Sequence, residues 1–309
     1  IHGNIRVGKS DLFVTEACEY TNSFLSFYPR IGIILNIEED HLDFFRDLAD
    51  IRSSFRRFAQ LLPEDGVLII NGDIPDYREI TEGLACSVIT FGSLEACDYY
   101  PTDISHDELA HAGFTLNRRN GSPVPVSLGV PGEHNILNAL AALALADYLQ
   151  LDMGTASRAL KNFTGTDRRF EYKGSLDGIT IVDDYAHHPT EITATLKAAV
   201  NYPHKTLWCV FQPHTYTRTK AFLSDFADAL SLADKVILAD IYAARETDTL
   251  GISSRDLQEE IGKKGTECHY FPSFEEIQNF ILENCTAGDL LITMGAGDVV
   301  NIGENLLKR

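Results

Sequence analysis

The sequence predicts an α/β protein with two domains, residues 1–166 and 168–309. In the second half, short apolar runs alternate with helical patterns, which is typical of a mostly parallel, Rossmann-like sheet with helices on both faces. The first half contains buried-strand runs and then, from Tyr99 to Leu128, short alternating runs around Asn120-Gly121, a strong hairpin signal. Gly165 to Phe170 resembles a linker. We therefore expect a mixed sheet with a small antiparallel subsheet, followed by a Rossmann-like domain without a glycine-rich dinucleotide loop.

Composition narrows the classes of partner. The chain carries 26 basic and 45 acidic residues, a net charge of −19. This balance argues against nucleic acid or an anionic membrane surface as the main partner, because both attract basic patches. No apolar run of about 18 residues and no signal peptide are present, so we expect no transmembrane helix. The oligomeric state is left open.

The cysteines and the first residues indicate where the protein works and how the chain begins. Six scattered cysteines without a CxxC pair favour reduced thiols in the cytoplasm and no zinc site. The chain opens on Ile1-His2-Gly3, with no methionine and no helix or strand signal before it. We therefore expect it to be a fragment.

Gly3 to Ser10 matches the phosphate-loop pattern GxxxxGK[ST] letter for letter. A true loop of this kind follows a buried strand and opens a helix. Here two residues precede the pattern, and the strand-like run Leu12–Thr15 follows it. We therefore reject this match as a phosphate-binding loop.

Acidic residues and a histidine follow two predicted strands of the first domain. Leu12–Thr15 ends at Glu16, and Ile31–Leu35 leads into a segment that contains His41 and Asp43. Mg²⁺ takes oxygen ligands, often one or two carboxylates plus substrate phosphates. Glu16 and His41 are a plausible ligand pair. For Asp43 we prefer the alternative that it begins a helix.

The rest of the first domain is predicted to contain two strands, Val67–Asn71 and Ser87–Phe91, and three helices, Asp47–Leu62, Gly132 to about Gln150, and Thr155–Asn162. Asn135 and Asn138 lie one turn apart on one face of the second helix, whose body is apolar on every side. Two amides at the start of a buried helix suit a nucleotide or a phosphate. Alternatively, Asn135 is simply the N-cap.

The second domain is predicted to alternate regularly between strands and helices. Its predicted strands are Ile179–Val182, Thr206–Phe211, Lys235–Ile241, His269–Phe271 and Leu290–Met294. Its predicted helices are Glu191–Val200, Thr217–Leu232, Ser253–Lys263, Phe274–Asn284 and one after Asp298. Ser273 and Glu276 form a capping box, and Pro189 suits the first turn of a helix.

Unusual polar residues follow the strands of this domain, in the segments Asp183–Glu191, Phe211–Thr219, Tyr242–Glu246 and Gly295–Asp298. We expect these segments to converge at the carboxyl edge of the sheet, where open α/β sheets bind ligands. His214 and Arg218 could hold a carboxylate there. The alternatives are that the Asp183–Asp184 carboxylates cap a helix, that the histidines pack locally, and that Gly295 to Gly297 is only a tight turn.

Together these motifs resemble the Mur ligases. The resemblance is carried by Asp183 to Glu191, Phe211 to Thr219 and Met294 to Asp298, with agreement at Asn36 to Asp43, Glu133 to Asn138 and Arg168 to Phe170. It covers nearly the whole chain in collinear order. It implies a three-domain cytoplasmic enzyme of peptidoglycan precursor synthesis. In such an enzyme, residues 1–166 would be the central ATPase domain without its ATP loop, and residues 168–309 the Rossmann-like amino-acid-binding domain.

The resemblance also implies the chemistry. ATP phosphorylates the carboxylate of UDP-N-acetylmuramate, and the amine of L-alanine attacks the resulting acyl phosphate. Glu16 and His41 match Mg²⁺ ligands. Asn135, Asn138, Arg169 and Asp184 match the nucleotide-binding positions. Tyr185, His187, His214 and Arg218 match the alanine and acyl-phosphate end, where His187, His214 and Arg218 are the expected catalytic residues.

The metal ligands and the function each have alternatives. Glu19 could replace Glu16 as the metal ligand, and Leu42 to Leu62 contains no lysine that could be carbamylated to bridge metals. A murein tripeptide-recycling ligase of the same class, or a catalytically dead ligand-binding homologue, are alternative functions. The chain alone is expected to be inactive, because it lacks the lysine that cradles the phosphates.

Overall fold

The structure, a computed structural model, describes residues 5–42 and 44–309. Its two compact units are residues 1–89 and 90–309. Asp43, predicted to begin a helix, and Gly3 and Asn4 of the loop pattern lie outside the described residues. The predicted domain boundary at residues 166–168 differs from the boundary between these units and stays a prediction.

The predicted strand Leu12–Thr15 is irregular and solvent-exposed in the structure, with Phe13 87% exposed. A short apolar run becomes a strand only when a neighbouring strand pairs with its backbone, which sequence alone does not decide. Gly8 to Ser10 is followed by this irregular segment and not by a helix. That geometry agrees with the rejection of the phosphate-loop pattern.

The first unit builds a small core around parallel strands. Its elements are a 3₁₀ helix Tyr20–Ser26, β1 Ile31–Ile34, α1 Leu48–Ala59, β2 Val67–Asn71, α2 Arg78–Thr81 and the start of β3 Ser87–Phe91. β1 and β2 are parallel, with Ile31 opposite Val67. The rings of Phe24 and Phe58 stack at 4.8 Å between centroids. The amphipathic helix predicted over Asp47–Leu62 and the strands predicted at Ile31–Leu35, Val67–Asn71 and Ser87–Phe91 are confirmed.

The second unit opens with an antiparallel meander of β4 Tyr99–His106, β5 His111–Arg118 and β6 Gly121–Pro131. Arg118 pairs with Gly121 across the predicted hairpin at Asn120-Gly121. Two helices follow, α3 His134–Tyr148 and α4 Met153–Asn162. α3 buries residues on most sides, including Leu140 and Leu143, as its apolar body predicts.

The remaining chain forms a six-stranded sheet in the order β11-β10-β9-β12-β8-β7. Its strands are β7 Glu171–Leu176, β8 Ile179–Asp184, β9 Leu207–Phe211, β10 Lys235–Leu238, β11 Glu267–Tyr270 and β12 Leu290–Met294. Its helices are α5 Pro189–Val200, α6 Tyr216–Ala221, α7 Leu223–Leu230, α8 Ser254–Lys263, α9 Phe274–Asn284 and α10 Val300–Leu306. All neighbouring strands are parallel except β7, which pairs antiparallel with β8.

Cores on both faces of this sheet confirm the predicted Rossmann-like layering. Val182 packs into a cluster with Ile192 of α5 and Phe226 of α7, while Ile181 packs into a second cluster with Ile277 of α9. Successive residues of a strand point to opposite faces, so each buried strand serves two cores. Pro189 begins α5 as predicted, and Ser273 caps α9, because its hydroxyl accepts from the Glu276 N–H at 3.3 Å and donates to Glu276 Oε1 at 2.9 Å.

In the second sheet and its helices, two elements differ from prediction. β7 was not predicted, although Asp177-Gly178, both with positive φ (48° and 84°), forms the tight turn that joins it to β8. The single helix predicted over Thr217–Leu232 is two helices, interrupted at Phe222, whose φ and ψ are −111° and 26°.

None of the helices described within residues 5–42 and 44–309 combines the length and the apolar character needed to cross a membrane.

Candidate active site at the carboxyl edge of the second sheet

The ends of four strands are aligned at one edge of the sheet. Asp184 pairs with Met294, Met294 pairs with Phe211, and Phe211 pairs with Leu238. These residues close β8, β12, β9 and β10, so the segments that follow the four strands leave from one row. The predicted convergence of these segments therefore follows directly from strand register.

Asp183 holds Arg168 at this edge. It is fully buried and accepts hydrogen bonds from Arg168 Nε at 2.9 Å and from Thr293 Oγ1 at 2.7 Å. Arg168 also donates to the carbonyl of Gly295 at 2.7 Å. Burial raises the pKa of Asp183, and the hydrogen bonds from Thr293 and Arg168 oppose that rise. Asp183 thus ties Arg168 to two strand ends.

Asp184 is likewise buried and hydrogen-bonded within the protein. Only 4% of it is exposed, and it accepts from the backbone N–H groups of Phe170 and Ala186, each at 2.8 Å, and from Thr195 Oγ1 at 3.1 Å. Burial raises its pKa, and the bonds from Ala186 and Phe170 lower it. Both carboxylate oxygens are therefore already used within the protein. The role of Asp184 at a nucleotide stays a prediction.

The polar cap of α5 comes from Glu191. Its Oε2 accepts from the backbone N–H groups of His187 at 3.0 Å and His188 at 3.3 Å. His188 is the N-cap residue. The alternative that Asp183 and Asp184 cap this helix is wrong, because both are turned into the domain interior.

Four predicted site residues form a continuous cluster together with one further aromatic ring. Ring centroids are 5.3 Å apart for Tyr185 and His187, 5.6 Å for His187 and His214, and 5.7 Å for His214 and Tyr242. An Arg218 guanidinium nitrogen lies 3.4 Å from His214 Nδ1. The residues predicted for the alanine and acyl-phosphate end thus lie side by side on two segments, one after β8 and one after β9, and Tyr242 joins them from a third segment after β10.

Tyr242 and Gln212 had no predicted role, although each belongs to a segment that follows a strand at this edge. Gln212 is 6% exposed, and its side-chain oxygen has no hydrogen-bond partner among the described residues. A Cβ built on Gly297 would lie 2.3 Å from that oxygen and 3.0 Å from the Tyr242 ring. The close approach of these three residues explains why a glycine stands at position 297, beyond its place in a turn.

The predicted nucleotide-binding amides lie in the first turn of α3. Asn135 Nδ2 donates to the carbonyl of Pro131 at 2.8 Å, and Asn138 Nδ2 donates to Asn135 Oδ1 at 3.1 Å. Asn135 lies inside the helix and Glu133 occupies the N-cap position, so the simple N-cap alternative for Asn135 is wrong. The two amides form a pair, and a ligand role for them stays a prediction.

Arg169 lies between the start of α3 and the Tyr185 loop. A guanidinium nitrogen is 3.6 Å from Glu191 Oε1, and its Cζ is 5.9 Å from the centroid of the Tyr185 ring. Desolvation, and then the positive charge of Arg169, lower the pKa of His134. Arg169 therefore lies beside the aromatic cluster, and its charge acts on His134 in the first turn of α3.

In the first unit, the carboxylate beside His41 is that of Glu19. The Glu19 Oε1 to His41 Nε2 distance is 3.5 Å, Asp40 lies at 3.8 Å, and the Tyr20 ring stacks on His41 at 4.4 Å. The hydrogen bond with His41 holds the pKa of Glu19 below its ordinary 4.5. Glu16 is solvent-exposed. The geometry thus favours Glu19 as the partner of His41, and the predicted Glu16–His41 pair stays a prediction.

The imidazole of His41 and a neighbouring carboxylate supply only some of the ligands that Mg²⁺ requires. Within the described ranges, 5–42 and 44–309, no three His, Cys, Asp or Glu side chains form a group that could hold a metal ion. One carboxylate and one imidazole leave several positions for phosphate oxygens and water, which Mg²⁺ usually retains. The residues thus fit a metal that is shared with a phosphate substrate.

Comparison with known proteins agrees with this geometry. The profile of the Mur ligase middle domain matches residues 4–146, and that of the Mur ligase glutamate ligase domain matches residues 168–297. A UDP-N-acetylmuramate–L-alanine ligase of Agathobacter rectalis is 59% identical over 309 residues, covering 100% of this chain and 67% of that protein.

Solved structures give the same result. The UDP-N-acetylmuramate–alanine ligase of Thermotoga maritima superposes with a TM-score of 0.75 at 27% identity, covering 93% of this chain and 61% of that one. The MurF ligase of Thermotoga maritima, solved in complex with ADP, has a TM-score of 0.71 at 19% identity over 91% of this chain and 62% of that one, which shows the fold alone. The chain thus spans between 61% and 67% of the length of these relatives. The two domain profiles and the relative that is 59% identical along the whole sequence agree with the fold and with the cluster of side chains at the strand ends. They show that this chain belongs to the Mur ligase family.

Proposed function

We propose that these residues form the central and amino-acid-binding parts of an ATP-dependent ligase that joins L-alanine to the carboxylate of UDP-N-acetylmuramate. One observation carries the proposal: a relative of that name is 59% identical along all 309 residues. The convergence of Tyr185, His187, His214 and Arg218 supports it, because the side chains that the reaction needs lie together. We assign residues 1–166 to the central domain and 168–309 to the amino-acid-binding domain.

The reaction requires that a carboxylate become an electrophile. Transfer of the γ-phosphoryl group of ATP makes an acyl phosphate, the amine of alanine attacks its carbonyl carbon, and phosphate leaves as the amide forms. Mg²⁺, when bound by His41 with Glu16 or Glu19, supplies positive charge for the phosphoryl oxygens. Asn135, Asn138, Arg169 and Asp184 are the proposed nucleotide-binding residues.

The proposed roles at the alanine end follow from charge and position. Arg218 pairs with the alanine carboxylate, because a guanidinium binds a carboxylate through two parallel hydrogen bonds. His214, 3.4 Å from Arg218, and Tyr185 form the sides of the site around the amine. His187 Nδ1 lies 3.1 Å from the Tyr185 carbonyl, which orients the ring, and we propose Nε2 as the atom that exchanges a proton with the substrate.

We place the reaction in the cytoplasm. All six cysteines are free thiols, which supports a reducing compartment. For the 309 residues alone we propose no turnover, because the sole phosphate-loop match, Gly3 to Ser10, is followed by an irregular segment and not by a helix.

The test is a ligation assay on the 309 residues completed with the remaining third of the Agathobacter rectalis relative, hereafter the completed chain. We expect phosphate release with ATP, Mg²⁺, UDP-N-acetylmuramate and alanine, and no release when alanine is replaced by a murein tripeptide. A preference for the tripeptide would establish the recycling ligase instead. Substrate binding without turnover in the completed chain would establish the ligand-binding homologue. Turnover by the 309 residues alone would overturn the proposed inactivity.

A further inference from the structure

The loop that carries His214 and Arg218 contains an unusual backbone conformation. Thr215 has φ 65° and ψ 147°, a region that β-branched residues rarely occupy. Such conformations persist at functional sites only when the surrounding structure holds them. Here the Thr215 N–H donates to the Tyr242 carbonyl at 2.9 Å, and the Tyr242 N–H donates to the Pro213 carbonyl at 2.8 Å.

A second restraint on this loop comes from Glu246, in the segment that follows β10. Its Oε2 accepts from the backbone N–H of Tyr216 at 2.7 Å and of Thr217 at 3.0 Å, and its Oε1 accepts from the Thr217 hydroxyl. These contacts span about thirty positions along the chain, so this is not a local helix cap. The Glu246 N–H in turn donates to the Ala243 carbonyl at 2.9 Å, which anchors the carboxylate in its own loop.

The charge of Glu246 also matters for where a substrate anion binds. The first N–H groups of a helix attract anions. In α6 two of these groups already bind the Glu246 carboxylate. A substrate carboxylate is therefore directed to the guanidinium of Arg218, the third residue of the same helix.

We propose that Glu246 is a positioning residue for the amino-acid substrate: by holding the first turn of α6 it sets the places of His214 and Arg218. This inference rests on the proposed ligase function for its kinetic consequence. Its structural part, the clamp on Tyr216 and Thr217, can be tested without activity.

The structural test measures amide hydrogen exchange in the 309-residue chain. In Glu246→Ala we expect the amides of Tyr216 and Thr217 to exchange roughly fivefold to tenfold faster, because their acceptor is lost. The matched control is Asp248→Ala, in the same loop, whose carboxylate accepts from the N–H groups of Leu250 and Gly251 instead. Unchanged exchange at Tyr216 and Thr217 in Glu246→Ala would overturn the proposal.

The kinetic test uses the completed chain. Glu246→Ala is expected to raise KM for alanine about tenfold, with KM for ATP and the thermal midpoint close to wild type. Glu246→Gln, whose amide oxygen can still accept, should recover most of the loss, and Asp248→Ala should behave like wild type. Equal changes in all substrates' KM values, or no recovery with Gln, would mean that Glu246 is merely structural. If the unsubstituted completed chain does not ligate alanine, the ligase function fails, and the exchange result alone decides the clamp.

Discussion

The carboxyl edge of the second sheet and the segment around His41 hold their polar residues in different ways. At the sheet edge, each site loop leaves a buried strand whose register is set by its neighbours, and buried Asp183 and Asp184 tie the linker to that edge. Around His41, the backbone is irregular with φ 53°, and the Glu19–His41 pair is about one third exposed. The first site is preorganised by the fold, whereas the second is held mainly by side-chain contacts.

The largest effect should come from the interior of the preorganised edge. We expect Asp184→Ala to lower the free energy of unfolding by about 3 kcal/mol, because the N–H groups of Phe170 and Ala186 lose their buried acceptor. Urea unfolding followed by fluorescence of Trp208, the single tryptophan and a core residue of this sheet, measures the change. Asp248→Ala, an exposed loop aspartate, is the control and should cost about 0.5 kcal/mol or less.

This substitution also separates two roles of Asp184. If its contacts are structural, the KM for ATP of the completed chain should stay near wild type after correction for the folded fraction. A stable variant with a raised KM for ATP would instead support the predicted role at the nucleotide.

The next effect concerns ligand recognition at the same edge. Arg218→Met in the completed chain should raise KM for alanine about a hundredfold, because the substrate carboxylate loses its charged, two-pronged partner. Arg218→Lys keeps the charge but not the planar fork, and should recover only part of the loss. Alanine titrations at saturating ATP measure both. Equal KM values in all three proteins would show that Arg218 does not bind the alanine.

A smaller effect is expected at Gly297, where close packing rather than a hydrogen bond sets the geometry of the edge. Gly297→Ala places a methyl group 2.3 Å from the Gln212 side-chain oxygen and 3.0 Å from the Tyr242 ring, which stacks on His214. We expect alanine ligation, measured as kcat/KM, to fall about tenfold, a change of about 1.4 kcal/mol.

Gly262→Ala is the matched control for this glycine. Position 262 lies in α8 with no atom within 4 Å of the added Cβ, so the substitution should be neutral or stabilise by about 0.5–1 kcal/mol. A loss of activity as large in Gly262→Ala as in Gly297→Ala would contradict the packing argument.

The smallest effect belongs to the segment around His41. The pKa of Glu19 is lowered in the fold, so the stability it contributes is present above pH 4.5 and is lost as the pH falls through the lower folded pKa. The side chains are partly exposed, and the contribution should be only a few tenths of a kcal/mol. Carboxyl titration by NMR should give a pKa below 4.5 for Glu19, returning toward 4.5 in His41→Asn. An unchanged pKa in that variant would show that His41 is not the cause.

Much of the fold was predictable because burial imposes a local period. The strands that end at Asp184, Phe211 and Met294 are apolar on both faces, and their helices carry caps that sequence patterns describe well. The cluster of Tyr185, His187, His214 and Arg218 followed from these strand ends together with the family resemblance. β7 was missed even though Asp177-Gly178 marks its turn, since a half-exposed edge strand has a weak apolar pattern.

The structural features that the sequence alone does not determine depend on contacts between residues far apart in the chain. The sequence by itself determined that polar segments follow buried strands, because alternating burial on a pleated strand is a local property. Only the tertiary structure decided that Asp183 faces Arg168, that Glu191 caps α5, and that Glu246 holds the turn before Arg218. The same holds for Leu12–Thr15, which is apolar enough for a strand and yet irregular. A hydrogen-bond partner is selected by strand register and loop path, and neither is encoded within a single local stretch of residues.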